Sequence, residues 1–214
     1  MSPHFTQRIL PTLCSADIPL YAIADAAQPA NVLAWLRQRP IPSSSLYGGI
    51  RQRTLGHLAP YLLTYLPEHA VHWQELATRF WSRSCLYFVS GDAEPEAMRL
   101  HLKKSLQVML PDKRIGLLRY YDPRAWLQFC RIATQAQMDT FFGDCVRAVH
   151  CEIDGGRRMM TVEIGAATAG NRLLGLPRAV DIYMHELIAP VPDNLRRQDQ
   201  HGSDPHVPLR ESLC

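Results

Sequence analysis

The chain has 214 residues, 47% of them apolar, which is enough for an independent core and too much for a fully disordered chain. Its 23 basic and 20 acidic side chains leave a formal charge of +3, and no basic stripe of the kind that neutralises nucleic-acid phosphates. Apolar stretches such as 58–66 fall far short of the roughly 20 residues that cross a bilayer, so no membrane span is expected.

Residues 1–19 hold three prolines and little periodicity, and read as a lead-in arm. Ile9 and Leu10 are cut off by Pro11 and Asp17, so no export-signal core forms, and Leu13 is too large to precede a lipoprotein cysteine at Cys14. The six cysteines form no tight framework and several lie in apolar runs, which fits a reducing, cytoplasmic setting. Leu20–Ala24, a continuous apolar run ending at Asp25, predicts a strand buried on both faces. Pro29 and Asn31 then open a helix that buries Val32, Leu33, Trp35 and Leu36 and ends before Pro40. Ser43–Gly49 is a weak strand signal; Tyr61–Leu66, between two prolines, is a better one.

Helical spacing of apolar residues from Val71 to Trp81 precedes a strand at Cys85–Val89. The next helix has Asp92 as its expected cap, Pro95 in its first turn and Lys103 and Lys104 at its negative end. Leu106–Leu110 and Ile115–Tyr121 predict a hairpin about a turn at 111–114. Asp122 followed by Pro123 predicts a capped helix with Trp126, Leu127 and Cys130 on its buried stripe. Thr134 and Gln137 form a capping box for a helix that Gly143 stops. Cys145–Ile153 and Arg158–Ile164 flank Asp154-Gly155-Gly156 as a hairpin, and Val180–Ile188 is a last element. The class expected is α/β, a mixed sheet flanked by helices, with a smaller C-terminal β-rich or irregular lobe at 146–189 and a flexible tail at 190–214.

Motifs for catalysis are incomplete. Gly165, Gly170, Asn171 and Arg172 imitate a phosphate loop but lack its Lys followed by Ser or Thr. His185-Glu186 begins a zinc-protease pattern whose second histidine is replaced by Ala189. His150 and Cys151 are neighbours on an expected strand and so point to opposite faces; His69 and His72 lie one helical turn apart, where a solvated or capping role is the simpler reading. No nucleophile elbow and no dinucleotide fingerprint is present. Arg119, Tyr120, Tyr121 and Arg124 interleave as in a base-stacking surface, yet their alternation with Leu117 and Leu118 predicts buried strand packing.

Four strings occur in order: Tyr21–Ala27 (Tyr-Ala-Ile-Ala-Asp-Ala-Ala), Ala59–Leu63 (Ala-Pro-Tyr-Leu-Leu), Arg119–Arg124 (Arg-Tyr-Tyr-Asp-Pro-Arg) and Phe141–Gly143 (Phe-Phe-Gly). In them the chain resembles a bacterial domain family whose members serve as adaptor chaperones for type VI secretion effectors, a likeness covering residues 20–145. It departs from that family at Cys85 and Leu86, where members tend to carry Trp then Gly. The resemblance implies an adaptor/chaperone domain that binds a toxic effector in the cytosol and presents it to the spike protein at the tip of the secretion tube. Binding, not turnover, is then expected, with the effector and the spike as partners and neither nucleic acid nor membrane.

No cofactor, metal ligand or catalytic residue is expected on this reading. Residues after 150 lie beyond the likeness and are the candidates for cargo choice. Tyr121, Arg124 and Trp126 are the candidate partner-facing residues, because aromatic residues and Arg are enriched in binding hot spots. Arg119, Asp122 and Pro123 form an architectural motif, with Asp122 linking both arginines. The competing account is an enzyme whose dispersed site gathers Cys145, His150 or His185 in a cleft.

Overall fold

The computed structural model describes residues 10–15, 18–28, 31–110, 112–164 and 180–187. Seven strands form one sheet: β1 (Leu20–Asp25), β2 (Ser43–Ser45), β3 (Pro60–Thr64), β4 (Leu86–Ser90), β7 (Ala148–Ile153), β8 (Arg158–Ile164) and β9 (Val180–Glu186). Their spatial order is β2-β3-β1-β4-β7-β8-β9. The hairpin expected around 111–114 makes a separate two-stranded ribbon of β5 (Gln107–Met109) and β6 (Ile115–Leu117).

The helix-flanked α/β class is the one read from the sequence, and within it every ladder among the described strands is antiparallel. β1 sits between β3 and β4 with all six residues buried. Its unbroken apolar run therefore reflects helices on both faces of the sheet. On one face Tyr21, Ile23, Tyr87, Val89, Val149 and Cys151 pack against helices α5 (Pro95–Lys104), α6 (Pro123–Ile132) and α7 (Gln135–Phe142). On the other, Leu20, Ala22, Ala24, Leu86 and Phe88 meet α1 (Leu10–Ser15), α2 (Val32–Leu36) and α4 (Ala70–Phe80). The short α3 (Gly49–Leu55) contributes no buried residue.

Local chemistry explains most boundaries. Asp122 accepts a hydrogen bond from the Arg124 backbone N–H, with Pro123 at the first helical position, and the Thr134–Gln137 capping box is closed in both directions. α5 corrects an expectation: Glu94 occupies the cap position, while the Asp92 carboxylate accepts from Arg147 Nε at 2.7 Å. Asp92 lies too far upstream of Pro95 to cap it. α1 was hidden in what the sequence presents as an arm, because a six-residue helix shows no periodicity; its Leu10 is buried in the second core. The 146–189 segment contributes β7, β8 and β9, which extend the sheet from β4. The β7–β8 turn needs its glycines: at Gly156, with φ of 80°, a Cβ would stand 2.7 Å from that of Ser82. The phosphate-loop imitation at 165–172 and the 190–214 tail lie outside the described residues.

Candidate protein-docking surface

A buried ionic link to the sheet is one the sequence reading missed. Asp25, at the end of β1 and fully buried, accepts from Arg119 Nη2 at 2.6 Å, and its other oxygen accepts from the Ala27 N–H at 3.0 Å. Burial opposes the charge on Arg119, but the Asp25 carboxylate outweighs it and raises the guanidinium pKa. Arg119 therefore ties the segment leaving the β5–β6 ribbon to the central strand, instead of to Asp122 as expected. Among the described residues Asp122 forms its close ion pair with Arg124, at 2.8 Å. Burial works against the Asp122 carboxylate, and the Arg124 hydrogen bonds override it and lower its pKa.

Two of the three candidate partner-facing residues are corrected by their positions. Tyr121 and Trp126 lie in the first core, with the Trp126 ring 4.6 Å from that of Phe141 between centroids, so neither presents a side chain to a partner. The residue types that mark hot spots also fill cores. Arg124 is exposed over 71% of its side chain, and Pro123 is buried at the helix start.

Exposed apolar surface gathers instead on the β5–β6 ribbon. The register sets Met109 opposite Ile115 and Gln107 opposite Leu117, which puts these four side chains on one face. That face is open: Met109 is 78% exposed, Ile115 70% and Leu117 44%. Val108 and Gly116 point the other way. Two grooves flank the base of the ribbon and share Lys104 and Gln107. One, of about 360 Å³, has Val108, Leu118, Phe129 and Phe141 as its apolar wall. The other, of about 450 Å³, carries Arg51, Lys103 and Lys104 beside Tyr47 and Leu100.

The residues of the competing enzymatic account are partly brought together. His150 accepts or donates between Ser90 Oγ at 2.7 Å and Thr161 Oγ1 at 3.0 Å, and it shares a cavity of about 400 Å³ with His185. Burial first, then His185, lowers the His150 pKa to about 4, so it is neutral at physiological pH. This chain has the order of a nucleophile, base and orienting group, but a threonine hydroxyl stands where a carboxylate would hold an imidazolium. Cys145 is not among the residues lining that cavity; it packs against the first core. Cys151 faces away from His150 into that core, where burial drives its thiol pKa up. His185 and Glu186 lie on strand β9, not on the helix a zinc-protease motif needs. The His69 and His72 rings are 6.3 Å apart at the start of α4. Among the described residues no three His, Cys, Asp or Glu side chains converge as a metal site, and no helix is long and apolar enough to cross a membrane.

Glu152 escaped the sequence reading altogether. It is buried on β7, where its Oε1 accepts from the Ser84 N–H at 2.5 Å. The turn at 81–84 reaches it with Ser82 and Ser84 both at positive φ. Its Oε2 has no hydrogen-bond partner among the described residues, and burial raises its pKa to about 7.

Together these features define a helix-covered antiparallel sheet that carries an apolar ribbon open to solvent. Residues 20–140 match the family described as a domain of unknown function, DUF4123, and the chain belongs to that family. No curated protein and no solved structure matches the chain.

Proposed function

We propose that the protein is an adaptor chaperone that binds a type VI secretion effector in the cytosol and delivers it to the spike protein of the secretion tube. The observation that supports this reading is the open apolar face of Met109, Ile115 and Leu117, since contiguous exposed apolar side chains mark a surface that a partner covers. The four strings shared with effector adaptors support it independently, and all of them fall in or beside the matched region 20–140. The β7–β9 segment, which lies wholly beyond that region, is the part we assign to cargo choice.

The test is affinity purification of the tagged full chain from a bacterium that carries both this gene and a type VI system. Recovery of the effector encoded beside the gene, together with the spike protein, is the expected result. A folded, abundant chain that brings down neither refutes the proposal. Under the competing enzymatic account, the chain would turn over a small molecule without retaining an effector, and substitution of His150 would abolish that turnover.

A further inference from the structure

The ribbon offers more than apolar side chains, because the backbone beside them is also unpaired. The Leu118 N–H donates to the Leu106 carbonyl and the Leu110 N–H to the Arg114 carbonyl, so both are hydrogen-bonded pairs of the antiparallel ribbon. Such pairs alternate along a ladder, which makes Val108–Gly116 a third. Gln107–Leu117 and Met109–Ile115 are then the intervening pairs, whose N–H and C=O groups point outward, away from the partner strand. No third strand lies beside β5 or β6 among the described residues. The same residues thus expose apolar side chains and free backbone hydrogen-bonding groups.

The surroundings define what would fit. Gln107 sits on β5 where the basic and the aromatic groove meet. Lys103, Lys104 and Arg51 on the basic side form no salt bridge among the described residues; Arg51 lies 5.4 Å from the Tyr47 ring centre as a cation–π contact. The basic groove begins at Gln107, at the start of β5, so an extended segment laid along the β5 edge would carry its side chains past both the Met109 face and that groove. Three cations without a close ion pair there, Lys103 reaching Glu96 only through a longer-range attraction, favour carboxylates.

Resting on the adaptor reading above, we propose that the edge of β5 takes up an extended segment of the partner polypeptide as a third strand, one in which aliphatic and acidic residues alternate. Gln107 and Met109 supply its backbone hydrogen bonds. Met109, Ile115 and Leu117 receive its aliphatic side chains, and Arg51, Lys103 and Lys104 receive its carboxylates. This is strand addition to an exposed sheet edge, with charge setting the choice of segment.

The probes are short synthetic peptides that alternate Glu with Val or Lys with Val, titrated against the full chain by fluorescence anisotropy. The acidic peptide is expected to bind at least about tenfold more tightly than the basic one, with a preference that shrinks as salt rises. The double variant Lys103→Glu/Lys104→Glu reverses that preference. Met109→Pro deletes an outward N–H that the ribbon's own ladder does not use, so it abolishes binding while the thermal midpoint stays at the wild-type value. Met109→Ala, which keeps the N–H, only weakens binding. Equal binding of the two peptides, or undiminished binding by Met109→Pro, overturns the proposal. Retention of the effector by these variants at wild-type level would overturn this mode of docking and leave the adaptor reading standing. Failure of the wild-type chain to retain the effector bears on the adaptor reading, and the peptide preference is measured without it.

Discussion

Glu152→Gln is expected to change how stability depends on pH more than it changes stability itself. In the folded chain the Glu152 carboxyl titrates near 7 against an ordinary value of 4.5, because burial disfavours its charge more than the backbone N–H groups of the 81–84 turn favour it. Between those two pH values the folded state binds more protons than the unfolded state, so this group makes stability fall as pH rises. The displacement corresponds to about 3 kcal/mol. His150, two residues away on the same face of β7, does the reverse. Its pKa falls from 6.5 to about 4, so the unfolded chain binds the extra proton and stability rises with pH over that window by a similar amount, about 3 kcal/mol. In the wild type the two slopes nearly cancel.

Gln at 152 keeps an oxygen to accept from Ser84 and removes the titration, so the His150 slope is left uncovered. Urea unfolding followed by tryptophan fluorescence, at constant ionic strength from about pH 4 to pH 8, reads this directly. The stability of Glu152→Gln minus that of the wild type should become more favourable by about 3 kcal/mol across the interval, whatever constant offset the amide introduces. A difference that stays flat with pH to within about 1 kcal/mol would refute the assignment of a desolvated Glu152 with a raised pKa.

Arg119→Ala strands a fully buried Asp25 carboxylate. Breaking a buried pair costs about 3–5 kcal/mol, and because Arg119 is 40% exposed the expected loss is about 2–3 kcal/mol, with part of it restored by adding Asp25→Asn in a double-mutant cycle. Asp122→Ala removes a cap and should cost about 1 kcal/mol in denaturant unfolding without affecting effector recovery; a stable variant that no longer binds would show Asp122 to be a contact residue. Gly156→Ala meets both positive φ and the Ser82 side chain, so a loss above about 2 kcal/mol is expected, seen as a thermal midpoint at least about 4 °C lower.

Elements defined by neighbours in sequence were legible. Asp122-Pro123, Thr134 with Gln137, and the apolar run of β1 each carry their boundary in a few adjacent residues, and each stands where the sequence puts it. Asp92 shows the limit of that reasoning, since a competing cation 55 positions away, Arg147, takes the carboxylate that local chemistry assigned to a cap. The Asp25–Arg119 pair spans 94 positions and nothing in either segment announces it. Glu152 was equally hidden, because its pKa depends on a turn from 81–84 that meets β7 only in the fold.

The ribbon shows why its exposed residues were not marked by the sequence. From Leu106 to Leu118 nearly every residue outside the turn is apolar, so the sequence has no alternation to say which side faces water. Tyr120 and Tyr121 at the ribbon's exit look like hot-spot residues, but the turn there rotates them into the core, where the Tyr120 hydroxyl donates to the Leu102 carbonyl at 2.9 Å. The aromatic pair thereby fixes the ribbon's base, with Arg119 beside it anchored on Asp25, and leaves the plainer Met109, Ile115 and Leu117 outside. Surface availability is thus set by register within a three-residue strand, which a one-residue slip would invert. A variant that shifts this register, such as a single-residue insertion between Leu110 and Arg114 that re-pairs the strands, should expose Val108, bury Met109 and lose effector binding. If binding survives with hydrogen exchange showing the re-paired ribbon, its outer face is not where the partner sits.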